Sequence, residues 1–177
     1  ATSAGLTGTR VLLEFPSVGA AENLLMAAVL AEGTTTIDNA AREPEISDLA
    51  DFLNRMGAQI SGAGRSVITI DGVSELHPVE HTVISDRIEA ATYLAALGIA
   101  GGEIEIEQAR ADHMDMMIRK LGEMGMSVSP TVNGLKAAAP ERLKSVDIST
   151  LPYPGIATDY KPLFVAMLSV ADGVGIV

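Results

Sequence analysis

The sequence predicts an α+β fold made of repeated β-α-β-α-β-β units. Three observations carry this. First, an Ala-rich apolar segment ending in Ala-x-Gly occurs three times, at residues 20–33, 86–102 and 159–173, with Ala31, Ala100 and Ala171 spaced 69 and 71 residues apart. A fixed period of this size marks a repeated supersecondary unit. Second, Ile46, Leu49, Ala50, Leu53 and Met56 step by helical spacing, and so do Met114, Met117, Ile118, Leu121 and Met124, offset by 68 residues throughout. Spacing of i, i+3, i+4, i+7 puts each set on one helix face. Third, short apolar runs bounded by glycine and polar residues follow each helix, as strands do.

The elements follow in order. Residues 10–15 read as a strand closing a preceding unit. A helix begins near Ala20 and stops at Gly33, a residue that accepts the left-handed conformation helix ends need. A strand at 34–37 leads to a helix at 44–56, with Pro44 in its first turn. Strands are expected at 58–60, 66–70 and 81–84. The second unit repeats this: the Ala-rich helix from Asp86, a strand at 103–106, a helix at 112–124 with Asp112 as N-cap, and strands at 126–129, 135–138 and 146–148. The third Ala-rich helix starts at Asp159, and 174–177 reads as the opening strand of an unfinished unit. A chain that starts and stops inside repeats is expected to be a fragment of a longer protein.

Composition narrows the function. With 177 residues and 47% apolar side chains the chain can bury a sizeable core. Aromatics are only 3%, so Ala, Val, Ile, Leu and Met must build it. The net charge of −11 repels nucleic acid and anionic lipid, and few aromatics leave few platforms for bases. Nucleic-acid binding is excluded on these grounds. There is no cysteine, hence no disulfide, thiolate metal site or cysteine nucleophile in these residues. The first nine residues lack the build of a signal peptide, and the apolar run at 24–31 falls short of the ~20 residues a membrane helix needs. A soluble cytoplasmic protein with no membrane contact is expected.

Several residues invite chemistry. Ser17, Val18 and Gly19 precede a helix whose first N–H groups lack partners and carry partial positive charge. Gly19 allows close approach to the backbone, while the bland role for Ser17 is a helix cap. Asp159 heads the third Ala-rich helix, where the helix field favours its ionised form; capping is its bland role. The clusters 42–45 and Asp86-Arg87 suit structural ion pairs better than chemistry. His77, Glu80 and His81 have metal-like spacing, but Pro78 opposes the helix that would make them converge, so no metal site is assigned. The Met-rich face at 114–124 reads as core.

Three stretches, FPSVGAAEN at 15–23, NAAREPEI at 39–46 and PGIATD at 154–159, resemble the enolpyruvyl transferase family. Within it they are similar to the branch that acts on UDP-N-acetylglucosamine, not to the one that acts on shikimate 3-phosphate. The resemblance covers essentially the whole chain. It implies the inside-out α/β barrel fold, helices inside and sheets outside. Residues 1–83 would close one domain and 84–177 open the second, with a hinge near 83–86. It implies transfer of enolpyruvate from phosphoenolpyruvate to the sugar 3-hydroxyl, opening peptidoglycan synthesis, with no metal or organic cofactor. It assigns nucleotide binding to Ser17, Val18 and Gly19, and removal of the hydroxyl proton to Asp159, both facing one cleft. It places the cationic residues for phosphoenolpyruvate and the acid-bearing loop ahead of Ala1, so the missing remainder of the enzyme is the expected partner and the piece alone is expected to be inactive. Ala21, Ala91, Ala157 and Lys161 depart from the family pattern. The alternatives are another enolpyruvyl transferase, such as the shikimate 3-phosphate enzyme, or a non-catalytic repeat domain that assembles through its apolar faces.

Overall fold

The computed structural model describes residues 5–177 as two compact units, the first ending at Ile84 and the second running Ser85–Val177. Both are α+β, and each puts its helices on one face of a sheet.

The first unit is β1 (Arg10–Leu12), α1 (Val18–Ala28), β2 (Thr34–Asp38), α2 (Pro44–Arg55), β3 (Gln59–Ser61) and β4 (Val67–Asp71). The sheet order is β1-β2-β4-β3. β1 is parallel to β2, with Arg10 opposite Thr36, and the other pairs are antiparallel, with Thr34 opposite Asp71. Side chains alternate across a strand. Thr35 and Ile37 of β2, and Ile68 and Ile70 of β4, are therefore buried while their neighbours are not. Ala21 and Leu25 of α1, and Ile46, Ala50 and Leu53 of α2, complete that core.

The second unit is α3 (Arg87–Ala100), β5 (Gly102–Glu107), α4 (Asp115–Glu123), β6 (Ser127–Pro130), β7 (Gly134–Ala139) and α5 (Lys161–Leu168). Its antiparallel sheet has the order β5-β7-β6. Met114, Met117, Leu121 and Met124 are buried with Leu94, Phe164 and Met167, so the methionine face is core. α3 passes close to α5: a Cβ on Gly98 would lie 3.4 Å from the Met167 sulfur. Alanine and glycine are what allow two helices so near each other.

The repeat recurs in the backbone. Gly33, Gly102 and Gly173 all adopt positive φ, at 87°, 98° and 100°. Asn39 and Gln108, 69 positions apart, are the non-glycine residues at positive φ among those described, at 55° and 61°. Both end the strand that follows an Ala-rich helix. Asn39 accommodates this region more readily than most side chains, and its Nδ2 donates to the Leu13 carbonyl at 3.0 Å.

Three expected strands do not form, and α4 starts late. Residues 81–84 leave the ladder because the His81 ring is held by α2: Nε2 lies 3.0 Å from Asp48 Oδ1, and the ring sits 5.0 Å from that of Phe52. Residues 146–148 run beside 174–177, and the Ile148 N–H donates to Ile176 O. The Ile176 N–H turns instead to Asp147 Oδ1 at 2.9 Å, so a side chain replaces the next rung and neither segment is a strand. Asp112 does not cap α4. Arg110 holds its carboxylate with two hydrogen bonds, at 2.9 and 2.6 Å; residues Ala111–His113 form a 3-10 turn, and α4 begins at Asp115.

Phe164→Ala empties the centre of the second core and should cost about 3–5 kcal/mol there. Hydrogen exchange should show lost protection at Leu94 and Leu121 with Ile37 and Ile68 unchanged, since the two cores share no residue. The Arg110 guanidinium holds the Asp112 carboxyl below the ordinary aspartate value of 3.8. A group lowered on folding stabilises above its unfolded value and loses that contribution as pH falls through the folded one. Arg110→Gln should therefore move the Asp112 titration, followed by carboxyl NMR, back up toward 3.8.

Candidate active site

The three residues of the Ser17 loop sit together at the head of α1. The helix starts at Val18, two residues ahead of the expected Ala20, because Ser17 takes the N-cap: its Oγ accepts from the Ala20 N–H at 3.3 Å, and its carbonyl from the Ala21 N–H at 3.0 Å. Val18 and Gly19 are thus the first two helical residues, where N–H groups point out of the helix end. Ser17 and Val18 are half-buried and Gly19 is exposed. A Cβ built on Gly19 would meet nothing within 4 Å. No packing within the described residues demands glycine here, although an alanine would favour the helix by about 1 kcal/mol. Open space at a helix head is the arrangement that lets an anionic or hydroxyl-rich ligand reach backbone donors.

Asp159 belongs to the second unit. It lies in the 3-10 turn Thr158–Tyr160 that leads into α5, and Pro162 occupies the first turn of that helix. Asp159 is exposed between two buried neighbours, Ile156 and Tyr160. Neither N-cap residue, Ala157 for that turn or Tyr160 for α5, makes a side-chain cap hydrogen bond. Short turns hold the approach: the Gly155 N–H donates to Pro152 O at 2.9 Å, and the Tyr160 N–H to Ala157 O at 3.1 Å. The fold thus presents one carboxylate outward on a backbone that is fixed on both sides.

The other singled-out residues serve the framework. Glu43 is buried and accepts the Arg42 backbone N–H at 2.9 Å. Asp86 caps α3, taking the N–H groups of Ile88 at 2.7 Å and Glu89 at 3.2 Å. His77 and His81 go to different acids, Glu75 and Asp48, and do not converge with Glu80 on one point. Sequence reasoning missed the surroundings of Arg87. An ion pair is the role expected of this residue; its guanidinium carbon also stands 5.6 Å from the Tyr153 ring centre and 5.8 Å from that of Tyr160. Nothing in the spacing announces a contact between residues 66 and 73 positions apart.

No helix among the described residues is long and apolar enough to cross a membrane. The chain is 57% identical over 172 residues to a UDP-N-acetylglucosamine 1-carboxyvinyltransferase 1 of Symbiobacterium thermophilum, an alignment that covers 97% of this chain and 39% of that one. It is 49% identical over 172 residues to a UDP-N-acetylglucosamine 1-carboxyvinyltransferase of Nocardia farcinica, with 97% and 40% covered. The chain therefore spans about two fifths of these relatives' length. Among solved structures, the enolpyruvyl transferase NikO from Streptomyces tendae superimposes with a TM-score of 0.84 at 24% identity, over 97% of this chain and 44% of that one, a likeness of fold. The family described as EPSP synthase (3-phosphoshikimate 1-carboxyvinyltransferase) matches residues 2–177. With a match of that extent, the chain is a member of the EPSP synthase family.

Proposed function

We propose that this chain forms part of an enzyme that transfers enolpyruvate from phosphoenolpyruvate to the 3-hydroxyl of UDP-N-acetylglucosamine, the opening reaction of peptidoglycan synthesis, in the cytoplasm. Residues 1–83 contribute the closing part of one domain and residues 84–177 the opening part of the next. The observations that carry the reading are Gly19, over empty space at the head of α1, and Asp159, exposed in the turn that leads into α5. The names of the relatives support the nucleotide sugar as the ligand.

On this reading the α1 head holds the nucleotide through the backbone donors of Val18 and Gly19 and the Ser17 hydroxyl. Asp159 accepts the proton of the sugar 3-hydroxyl as that oxygen bonds to C2 of phosphoenolpyruvate, while C3 gains a proton from an acid. The tetrahedral adduct then loses a proton from C3, the C2–O bond to phosphate breaks, and phosphate leaves. A hydroxyl needs a base within hydrogen-bond reach as it attacks, and an exposed carboxylate on a fixed turn meets that need. Phosphoenolpyruvate carries several negative charges and needs lysine and arginine partners. This reading assigns those partners, and the acid, to the length of the relatives that the chain does not span.

The test places these residues inside the Symbiobacterium thermophilum relative, in exchange for the 172 matched ones. The chimera should consume UDP-N-acetylglucosamine, and Asp159→Asn should lower kcat by about 10²–10⁴-fold. Unchanged turnover in that variant, or preference for shikimate 3-phosphate, would end the proposal. The 177-residue chain alone should release no phosphate from the two substrates; light scattering at rising concentration, showing assembly with no nucleotide-sugar binding, would favour the repeat-domain reading.

A further inference from the structure

We propose that Arg87 is the positioning residue of Asp159: its guanidinium pins both ends of the loop that carries the carboxylate. This rests on the role given to Asp159 above. Arg87 is the first residue of α3, yet its side chain turns inward and only 6% of the residue is exposed. The guanidinium lies over Tyr153 at one end of the loop and Tyr160 at the other, within the ~6 Å at which a cation is drawn to an aromatic face. Nη1 also donates to the Tyr160 hydroxyl at 3.3 Å. Tyr160 is 2% exposed and is bonded directly to Asp159, so whatever fixes that ring fixes the adjoining backbone. At the other end the Tyr153 hydroxyl reaches the Asp112 carbonyl at 3.4 Å.

Geometry also decides what Arg87 does not do. The cavity it shares with Asp112, His113, Tyr153, Pro154 and Tyr160 measures 20 Å³. That is room for about one water and none for a sugar or a phosphate. Arg87 therefore acts through the loop, not on a ligand. A lysine would keep the charge but lose the flat guanidinium that lies against two rings at once. A misplacement of about 1 Å in a reacting group can cost on the order of 10²-fold in rate.

The same chimera tests this through a double-mutant cycle. Arg87→Lys should lower kcat about 10–100-fold, by that misplacement, and leave KM for UDP-N-acetylglucosamine within about 3-fold, because the nucleotide is held at the α1 head. The decisive reading is coupling. In an Asp159→Asn background, Arg87→Lys should cost little more, since both changes remove the same placed carboxylate. Equal loss in both backgrounds, or no loss from Arg87→Lys alone, overturns the inference while leaving Asp159 as the base. If Asp159→Asn itself costs nothing, the reading beneath it falls and takes this inference with it. Should Arg87→Lys fail to fold by far-UV circular dichroism, Tyr153→Leu decides the matter: it frees one end of the loop with Arg87 in place, and its loss of kcat must vanish in the Asp159→Asn background.

Discussion

The chain depends on helices that are apolar on nearly every side and must still end somewhere useful. α1, α3 and α5 are built largely of Ala, Leu, Val, Met and Ile, and each buries one face on its own sheet or a neighbouring helix. Met26, Tyr93 and Val165 lie on their remaining faces and are exposed. A helix of this kind belongs inside a layered structure, where no lateral face can offer polar groups. In each unit these helices lie against one face of a sheet, which answers part of that requirement. It also confines the chemistry: what a ligand can meet is the helix head, with its unpaired N–H groups and the polar residues just before it.

The architecture was legible because it repeats. A period near 70 residues, Ala-x-Gly stops and two amphipathic faces of the same phase each point to one answer, and α2 and α4 bury the faces so marked. Agreement among independent signals is what makes a fold readable. The readings that failed did so at single side chains, not at the pattern. His81 binds Asp48, Asp147 takes an N–H that a ladder would have used, and Arg110 occupies the carboxylate expected to cap a helix. His81 and Asp48 are 33 positions apart, and Asp147 and Ile176 29, so only the finished fold brings them together; Arg110 and Asp112 are two apart, and there a local ion pair replaced the cap. Periodicity carries no trace of such contacts.

The candidate site was legible to a different depth. The Ser17 loop could be picked out because a polar residue and a glycine before an apolar helix form a local signal, and its start shifted by only two residues once Ser17 took the cap. Asp159 was visible for the same reason. Its support was not: Arg87 and Tyr160 are 73 positions apart and lie on different helical elements. A buried guanidinium between two tyrosines is a tertiary fact, and the residues that orient a reacting group are commonly of this hidden kind.

The repeat puts its helix heads to different local uses. Three Ala-rich helices each begin with a polar residue, and their fates differ. Asp86 spends its carboxylate on its own helix, through bonds at 2.7 and 3.2 Å to two backbone N–H groups. Ser17 spends less: one bond of 3.3 Å, which leaves Val18 and Gly19 ahead of it at an open surface. The third turn starts at Ala157, which has no polar side chain to cap it, and Asp159 stands exposed inside that turn beside the Tyr160 ring, over which Arg87 lies. Capping a helix is worth roughly 1 kcal/mol, so a fold gains stability by using such residues locally. Asp86 takes that gain fully and Ser17 in part, so two N-caps at the same place in the repeat differ in how much local stability they supply.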